Sequence, residues 1–359
     1  MPGVLKKYVP SRTVNVHAHL ISPSWYPPEA AQPKEWESTD AERAYFRHYV
    51  AMRQELGAAR HQEMTEEQHL EYKEREAARG SAKTLSDQAS YYLTEMDEAG
   101  IDLMVNLTMD HSEFPGFRGR MYSVPFEQVL EDCAELKELY PGRFEMFCGI
   151  DPRRGRAGVP LFERAVSEYG ALGLGEMIST QWRTMPNDRE LCYPYYEKAA
   201  ELGVPLMQDA TMDLGFSDPS LFEEIARDFP ELQICLGGAG AGVPTVALPD
   251  GSLIPAHDRM LQLAEHFENL WLDLDDWQMR DFGGIDTYVD FLRRALDGPA
   301  RNRVMFGSDY PVFNFMYTEE DWVTHVLHRL VGVLDPEELD LFFSANPLRF
   351  CGLLQETKR

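Results

Sequence analysis

Eight short apolar, β-rich runs, each separated from the next by a helix-compatible stretch, restrict the folds open to this chain more than any other feature. They are Thr13–His17, Ile101–Leu107, Phe144–Ile150, Leu172–Glu176, Val204–Gln208, Leu232–Leu236, Leu270–Leu274 and Val304–Phe306. Strands that alternate with helices run parallel, because each helix carries the chain back across the sheet before the next strand begins. Helical patterns such as Pro160–Tyr169 and Tyr193–Leu202 fill the intervals. Gly100, Gly170 and Gly203 stand where a helix ends on a left-handed residue just before a strand. Eight such units make an α/β chain of the (β/α)8 TIM-barrel type. An open doubly wound sheet is the alternative, since counting strands does not show closure.

A chain of 359 residues with 44% hydrophobic content is ordinary for one barrel carrying insertions. No Pro/Gly/Ser-rich linker or internal repeat divides it, so residues 1–359 read as a single domain. One connection is too long: about 80 residues lie between the first two strands, where a simple βα unit needs far fewer. Thr39 or Asp40 can cap a helix reaching about Leu56, Thr65 with Gln68 forms a capping box for Glu66–Arg79, and Ser86 can cap the helix that ends before Gly100. These make a helical insertion over residues 21–90. A loop that follows a barrel strand lies on the catalytic face. The insertion is therefore expected to hang over the pocket as a lid, with Trp25, Tyr26 or Phe46 against it, or to serve an oligomer interface.

The formal net charge of −26 sets the field around the molecule against nucleic acid and anionic membranes, and neither is an expected partner. No run reaches the roughly 18 apolar residues of a membrane span, and no apolar segment follows the lysines of Met1–Pro10, so a cytoplasmic location is expected. Cys133, Cys148, Cys192, Cys235 and Cys351 are widely spaced without a C-x-x-C pair, which suits reduced, buried thiols.

The first strand ends Val14-Asn15-Val16-His17-Ala18-His19. Strict alternation puts His17 and His19 on the interior side, where two imidazoles at a strand's C-terminal end can bind one divalent metal. The same alternation sends Val14 and Val16 toward the helix layer. Asp309 follows the last strand after Gly307-Ser308, where a carboxylate can ligate metal and exchange a proton with activated water; a turn or capping Asp is the alternative.

The His17-Ala18-His19 pair, the run Gly307-Ser308-Asp309-Tyr310-Pro311 and the closing Asn346-Pro347-Leu348-Arg349-Phe350 together resemble the amidohydrolase superfamily. The likeness is to the amidohydrolase-related branch that includes aminocarboxymuconate-semialdehyde decarboxylase and γ-resorcylate decarboxylase. It runs from the first strand to the last helix and leaves out the insertion. Asp151-Pro152-Arg153-Arg154 and Pro186-Asn187-Asp188 support it. The resemblance implies a metal-dependent-hydrolase-like barrel, a divalent metal (Zn²⁺ or Mn²⁺), a small-molecule organic acid as substrate, hydrolysis or non-oxidative decarboxylation, and a homodimer.

Two positions depart from the pattern of the resemblance. Asp209, closing Gly203-Val204-Pro205-Leu206-Met207-Gln208-Asp209, stands where a fifth-strand histidine ligand is expected, and Gly238 where a sixth-strand histidine assists catalysis. Carried over residue by residue, the metal ligands are His17, His19, Asp209 and Asp309. Asp309 doubles as proton shuttle, and Glu176, closing the fourth strand, is an auxiliary acid or base or a further carboxylate at the site. A carboxylate in place of imidazole adds negative charge beside the metal and weakens its Lewis acidity. Losing the sixth-strand histidine removes about 2–4 kcal/mol of charge stabilisation, if it is worth as much as other lost oxyanion donors. Both changes harm hydrolysis more than decarboxylation. They also keep open a second function, a barrel that has lost its metal and binds a ligand or partner. Asn106, His111, Arg183, Asp275 and Arg280 are further polar candidates near strand ends, where an arginine can clamp a substrate carboxylate.

Overall fold

All eight expected runs form parallel strands in a computed structural model, which describes residues 3–26, 40–114, 122–211, 215–243, 245–248, 250–278, 284–314 and 317–354. The barrel strands are β1 (Val14–Ala18), β2 (Leu103–Leu107), β3 (Phe144–Phe147), β4 (Leu174–Met177), β5 (Leu206–Asp209), β6 (Ile234–Gly237), β9 (Leu270–Asp273) and β10 (Val304–Met305). Between β6 and β9 lies an antiparallel ribbon that the sequence pattern did not suggest, β7 (Thr245–Ala247) and β8 (Leu253–Pro255). Ladders run β1-β2-β3 and β4-β5-β6-β9-β10. Cys148 bridges Leu174 and Ala18 bridges Tyr310, both in parallel, which joins the two ladders at both edges. The sheet is a closed barrel, and the open doubly wound alternative falls.

Helices α1 (Asp40–Glu63), α2 (Glu66–Ser81) and α3 (Leu85–Ala99) fill the long first connection. The outer layer continues with α4 (Phe126–Leu139), α5 (Val159–Ser167), α6 (Ser179–Trp182), α7 (Tyr193–Leu202) and α8 (Pro219–Asp228). It ends with α9 (Ala256–His266), α10 (Gly284–Asp297), α11 (Glu319–Leu330) and α12 (Pro336–Asp340), and a last short helix follows, α13 (Asn346–Phe350). The Thr65/Gln68 capping box forms as expected, with Gln68 N–H donating to Thr65 Oγ1 at 3.3 Å and Thr65 N–H to Gln68 Oε1 at 2.9 Å. Ser86 is not the cap of α3. Thr84 caps it, because Asp87 lies at the position that can return the bond. Gly100 (φ +83°) and Gly203 (φ +67°) end α3 and α7 in the left-handed conformation.

Burial separates an outer shell, between strands and helices, from a barrel interior. The interior cluster takes Val14, Val16, Leu103, Val105, Leu107, Phe147, Met207, Cys235, Trp271 and Met305, one or more from every barrel strand except β4. Beneath it Leu348, Phe350 and Cys351 of the last helical segment close the end where the strands begin. Asn346 fastens that plug, its amide donating to the carbonyls of Val304 (2.9 Å) and Arg301 (3.0 Å).

Val14 and Val16 thus face the interior, not the helix layer as strict alternation required. The cause is one extra residue in β1: Asn15 pairs with Met104 and Ala18 with Asn106, so three steps on β1 oppose two on β2. Within such a bulge two successive residues share a face. Val16 and His17 both point inward, while Asn15 and Ala18 stay outside. The same irregularity recurs in β4, where Leu174 pairs with Leu206 and Met177 with Gln208.

The insertion touches the rim where the strands end. Arg53 of α1 donates to the carbonyl of Val312, three residues past Asp309, at 2.6 Å. A cavity of about 100 Å³ lies between Gln68, Tyr72 and Arg75 of α2 and the segment that carries Asn314, Tyr317 and Thr318. Trp25 is buried, its indole N–H donating to Asp132 of α4 at 2.6 Å, and both Trp25 and Tyr26 set their rings edge-on to Tyr122. The side chain of Phe46 lies outside the described residues. Among the described residues no helix is long and apolar enough to cross a membrane, and all five cysteines are buried and free.

Candidate metal centre

Advancing two residues along each interior position of the apolar layer reaches the site. Met207 leads to Asp209, Cys235 to Gly237, Trp271 to Asp273 and Met305 to Gly307, all on the interior face by period-two alternation. The bulges in β1 and β4 add His17 and Glu176 to this layer. A residue beyond the strand, His19 enters as well.

Each imidazole is held by its Nδ1. His17 Nδ1 lies 2.7 Å from Asp273 Oδ2, and His19 Nδ1 2.9 Å from the carbonyl of Leu107. A carbonyl only accepts, so His19 carries its proton on Nδ1 and presents the Nε2 lone pair to the site; the carboxylate of Asp273 imposes the same tautomer on His17. This is how metal-binding histidines are oriented. His17, His19 and Asp309 offer donor atoms that all lie within 4.8 Å of one another. Asp309 Oδ1 is 3.1 Å from His19 Nε2 and 3.9 Å from His17 Nε2. Glu176 spans the pair, with Oε1 at 3.6 Å from His17 Nε2 and Oε2 at 3.3 Å from His19 Nε2.

The backbone fixes Asp309 from both sides. Its N–H donates to the carbonyl of His17 at 3.0 Å, and the next residue's carbonyl accepts from His19 N–H at 2.6 Å. Asp309 adopts φ +52°, a left-handed conformation that a short Asp tolerates better than most residues. Gly307 is needed beside it, since a Cβ there would overlap Asp273 Oδ1.

Electrostatics follow from burying five carboxylates with two imidazoles. Burial would depress the histidines, but hydrogen bonds to Asp309 and Glu176 reverse this for His19 and push it up to about 10. For His17, burial is likewise outweighed by Asp275, Glu176 and Asp273, which raise it. Glu176 is held well below the usual carboxylate range: burial opposes this, and the two histidines overcome it. Asp209 goes the other way, to about 7, through burial and the charge of Glu176. Burial likewise raises Asp273 and Asp275. Neutral imidazoles and ionised carboxylates together would need a cation among them, and protons take that part in its absence.

The residues fit a divalent cation on their own geometry. Asp209 Oδ1 is engaged by the N–H (3.0 Å) and hydroxyl (2.8 Å) of Thr211, while its Oδ2 is buried without a hydrogen-bond partner. Two oriented Nε2 lone pairs with the carboxylates of Asp309 and Glu176 are nitrogen and oxygen donors of the kind Zn²⁺ or Mn²⁺ takes, while Asp209 stands outside the converging group of His17, His19 and Asp309.

Of the remaining candidates, Asp275 joins the site, with Oδ2 3.5 Å from His17 Nδ1. Asn106 faces outward, its Oδ1 accepting from Leu20 N–H at 2.8 Å and its amide donating to Cys133 Sγ at 3.2 Å. His111 packs edge-on against Tyr122 in the loop after β2. Arg183 follows α6 in a left-handed conformation, φ +55°. Arg280 lies outside the described residues. At Gly238 the chain has φ +65° and a Cβ would overlap Thr211 Cγ2, so a side chain where the resemblance expects histidine would meet backbone strain and force Thr211 to move. Asp273 was missed in the sequence, although a carboxylate inside the apolar run Leu270-Trp271-Leu272-Asp273-Leu274 was the available signal.

No curated protein matches the chain. Among solved structures, an uncharacterized TIM-barrel protein from Bordetella bronchiseptica superposes with a TM-score of 0.61 at 15% identity, covering 96% of this chain and 99% of that one. A 4-oxalomesaconate hydratase from Rhodopseudomonas palustris gives a TM-score of 0.53 at 18% identity over 95% of this chain and 96% of its own. A 5-carboxyvanillate decarboxylase from Sphingomonas paucimobilis gives 0.50 at 14% identity over 74% and 83%. The family model described as Amidohydrolase matches residues 14–353, and this chain therefore belongs to the amidohydrolase family.

Proposed function

We propose that the protein is a metal-dependent carboxy-lyase that decarboxylates a small organic acid without an oxidant. The observation that carries this reading is the convergence of His17 Nε2, His19 Nε2 and Asp309 Oδ1 in one buried group, with Glu176 across both imidazoles. When bound there, a Zn²⁺ or Mn²⁺ ion supplies Lewis acidity that orients a substrate carboxylate and stabilises negative charge. His17 and His19 hold it through nitrogens whose tautomer Asp273 and the Leu107 carbonyl fix. Glu176 and Asp209 complete the donor set. At 7% exposure Asp309 is the most accessible carboxyl of the group, and it is the residue that reaches the substrate and moves the proton. In decarboxylation the C–C bond breaks, CO₂ leaves, the electron pair stays on carbon, and Asp309 delivers the proton there.

Lyase chemistry is favoured over hydrolysis by Gly238. With glycine at that position, Gly238 supplies no base to orient water and no donor to share developing charge.

The test is CO₂ release from a panel of aromatic and unsaturated carboxylic acids by protein loaded with Zn²⁺ or Mn²⁺. Turnover is expected with metal, and a loss of at least about 10²-fold in His17→Ala/His19→Ala, whose barrel core stays intact. Faster hydrolysis of amides or lactones by the same preparation would overturn the lyase assignment. Protein purified without chelator that holds no metal and takes none up would favour the alternative, a barrel that only binds a ligand.

A further inference from the structure

The bulge in β1 sets Val16 and His17 together opposite Val105, between the pairs Asn15–Met104 and Ala18–Asn106. A bulge leaves backbone groups outside the ladder, and they need other partners. Val16 N–H donates to the carbonyl of Phe306 at 3.2 Å, and the carbonyl of His17 accepts Asp309 N–H at 3.0 Å. The N–H of His17 donates to a side chain, Asn15 Oδ1, at 3.1 Å. A backbone N–H only donates, so the amide oxygen of Asn15 faces it and the amide nitrogen faces away.

That nitrogen reaches the loop that carries Asp309. Asn15 Nδ2 donates to Ser308 Oγ at 2.7 Å and to Glu319 Oε1 at 2.9 Å, and the Ser308 hydroxyl donates in turn to the Glu319 carboxylate. Ser308 directly precedes Asp309, and its carbonyl accepts from Gln278 Nε2 at 2.6 Å. Asn15, Ser308 and Glu319 are all buried. With its acceptor and both donors engaged, the amide is a fully satisfied group between the strand that bears His17 and the loop that bears Asp309. An apolar side chain of the same size would leave the His17 N–H and two acceptors without their partner. A one-residue shift to a regular ladder would turn His17 toward the helices.

We propose that Asn15 is the positioning residue of the site: one buried carboxamide sustains the β1 bulge and ties the backbone of His17 to the segment that places Asp309. The consequence for metal binding rests on the reading of His17, His19 and Asp309 as ligands. Asn15 acts from the outer face of β1, through the groups it holds. The role needs an acceptor and donors on one short planar group. Aspartate keeps the acceptor for His17 but turns an oxygen toward the Glu319 carboxylate; pairing Asn15→Asp with Glu319→Gln returns a donor to that contact.

The experiment is Mn²⁺ titration of the chelator-stripped full chain, read by the electron paramagnetic resonance signal of free Mn²⁺, with a urea unfolding curve for each protein. Asn15→Leu is expected to weaken Mn²⁺ binding about 10- to 100-fold, the cost of losing a group that orients ligands. The paired variant Asn15→Asp/Glu319→Gln should bind more tightly than Asn15→Asp alone. Asn346→Leu is the control, because that amide is equally buried and also donates twice, but in the plug at the opposite end of the barrel. It is expected to lose stability and keep wild-type affinity. Wild-type affinity in Asn15→Leu, or equal weakening in Asn346→Leu, would overturn the proposal. Should Asn15→Leu not fold, the two aspartate variants decide it, and no recovery in the paired one overturns it. A wild-type chain that takes up no Mn²⁺ would overturn the metal reading alone. The crystal structure of Asn15→Leu then decides the positioning role, with loss of the Val16–His17 bulge expected and an unchanged bulge overturning it.

Discussion

Gly238 is where the geometry constrains chemistry most tightly. Its φ of +65° suits glycine, and Thr211 already fills the space of a Cβ. Reintroducing histidine there to restore the pattern of the resemblance combines left-handed strain with overpacking. Gly238→His is expected to cost about 2–4 kcal/mol, read as a lowered urea midpoint. Asp209→His removes the acceptor of Thr211 N–H and its hydroxyl but needs no left-handed backbone. It is expected to fold and to shift metal preference from Mn²⁺ toward Zn²⁺, measured by competition titration, because a nitrogen replaces a hard oxygen donor. A stable Gly238→His protein would show that Thr211 yields. Asp273 illustrates a different constraint: its Oδ2 orients His17 across 256 residues of sequence, a partnership no local pattern announces.

At the scale of elements, the site is tied to the insertion through buried polar groups. Arg75 of α2 donates to Glu95 of α3 at 2.8 Å, and Glu95 Oε2 accepts the first N–H of α11, from Glu319, at 3.0 Å. Glu319 in turn accepts from Asn15 (2.9 Å) and Ser308 (2.9 and 3.0 Å). These two flank His17 and Asp309, and Asn15 Oδ1 accepts the N–H of His17 at 3.1 Å. Burial raises Glu319 from its usual 4.5 to about 8, with the charge of Glu95 adding to it and the bonds from Ser308 and Asn15 opposing. A carboxyl raised on folding binds its proton more tightly in the folded chain than in the unfolded one. Its contribution to stability is therefore complete below pH 4.5 and is lost as pH climbs through about 8. With metal bound, so that the site groups stay deprotonated, wild type is expected to lose denaturant resistance over that window and Glu319→Gln to lose less. Parallel pH profiles for the two proteins would contradict the assignment.

At the scale of the whole molecule, the barrel works as a sleeve with one end sealed. Phe350 stacks on Phe147 with ring centroids 6.0 Å apart and packs against Trp271 at 5.3 Å, supporting the apolar layer on which the site rests. Truncation to Phe350→Ala leaves a cavity at the axis and is expected to cost about 3–5 kcal/mol, measured by equilibrium unfolding. Because the plug lies at the far end from the histidines, metal stoichiometry should be unchanged in the surviving folded fraction. Loss of metal in a still-folded Phe350→Ala protein would show that the layer beneath the site is mobile enough to misplace its ligands.

Much of this was legible in the chain itself. The eight strand runs, the glycines ending α3 and α7, the Thr65/Gln68 box and the inward His17, His19 and Asp309 depend on periodicity and on bonds between near neighbours, and such signals survive in a linear sequence. Even so, His17 points inward for a reason alternation did not supply. Strict period two from His17 would have turned Val14 and Val16 outward, yet all three share the interior because a bulge adds one residue to β1. A second irregularity in β4 brings Glu176 against both imidazoles. Closure through Cys148–Leu174 and Ala18–Tyr310, the pairing of Asp273 with His17, and the packing of Thr211 against Gly238 are likewise products of the tertiary structure. A one-residue change of register reverses which face a side chain takes, and register is set by partners far away in sequence. The sequence by itself determined which elements form and which chemical groups are available to them; only the closed barrel decided which of those groups meet.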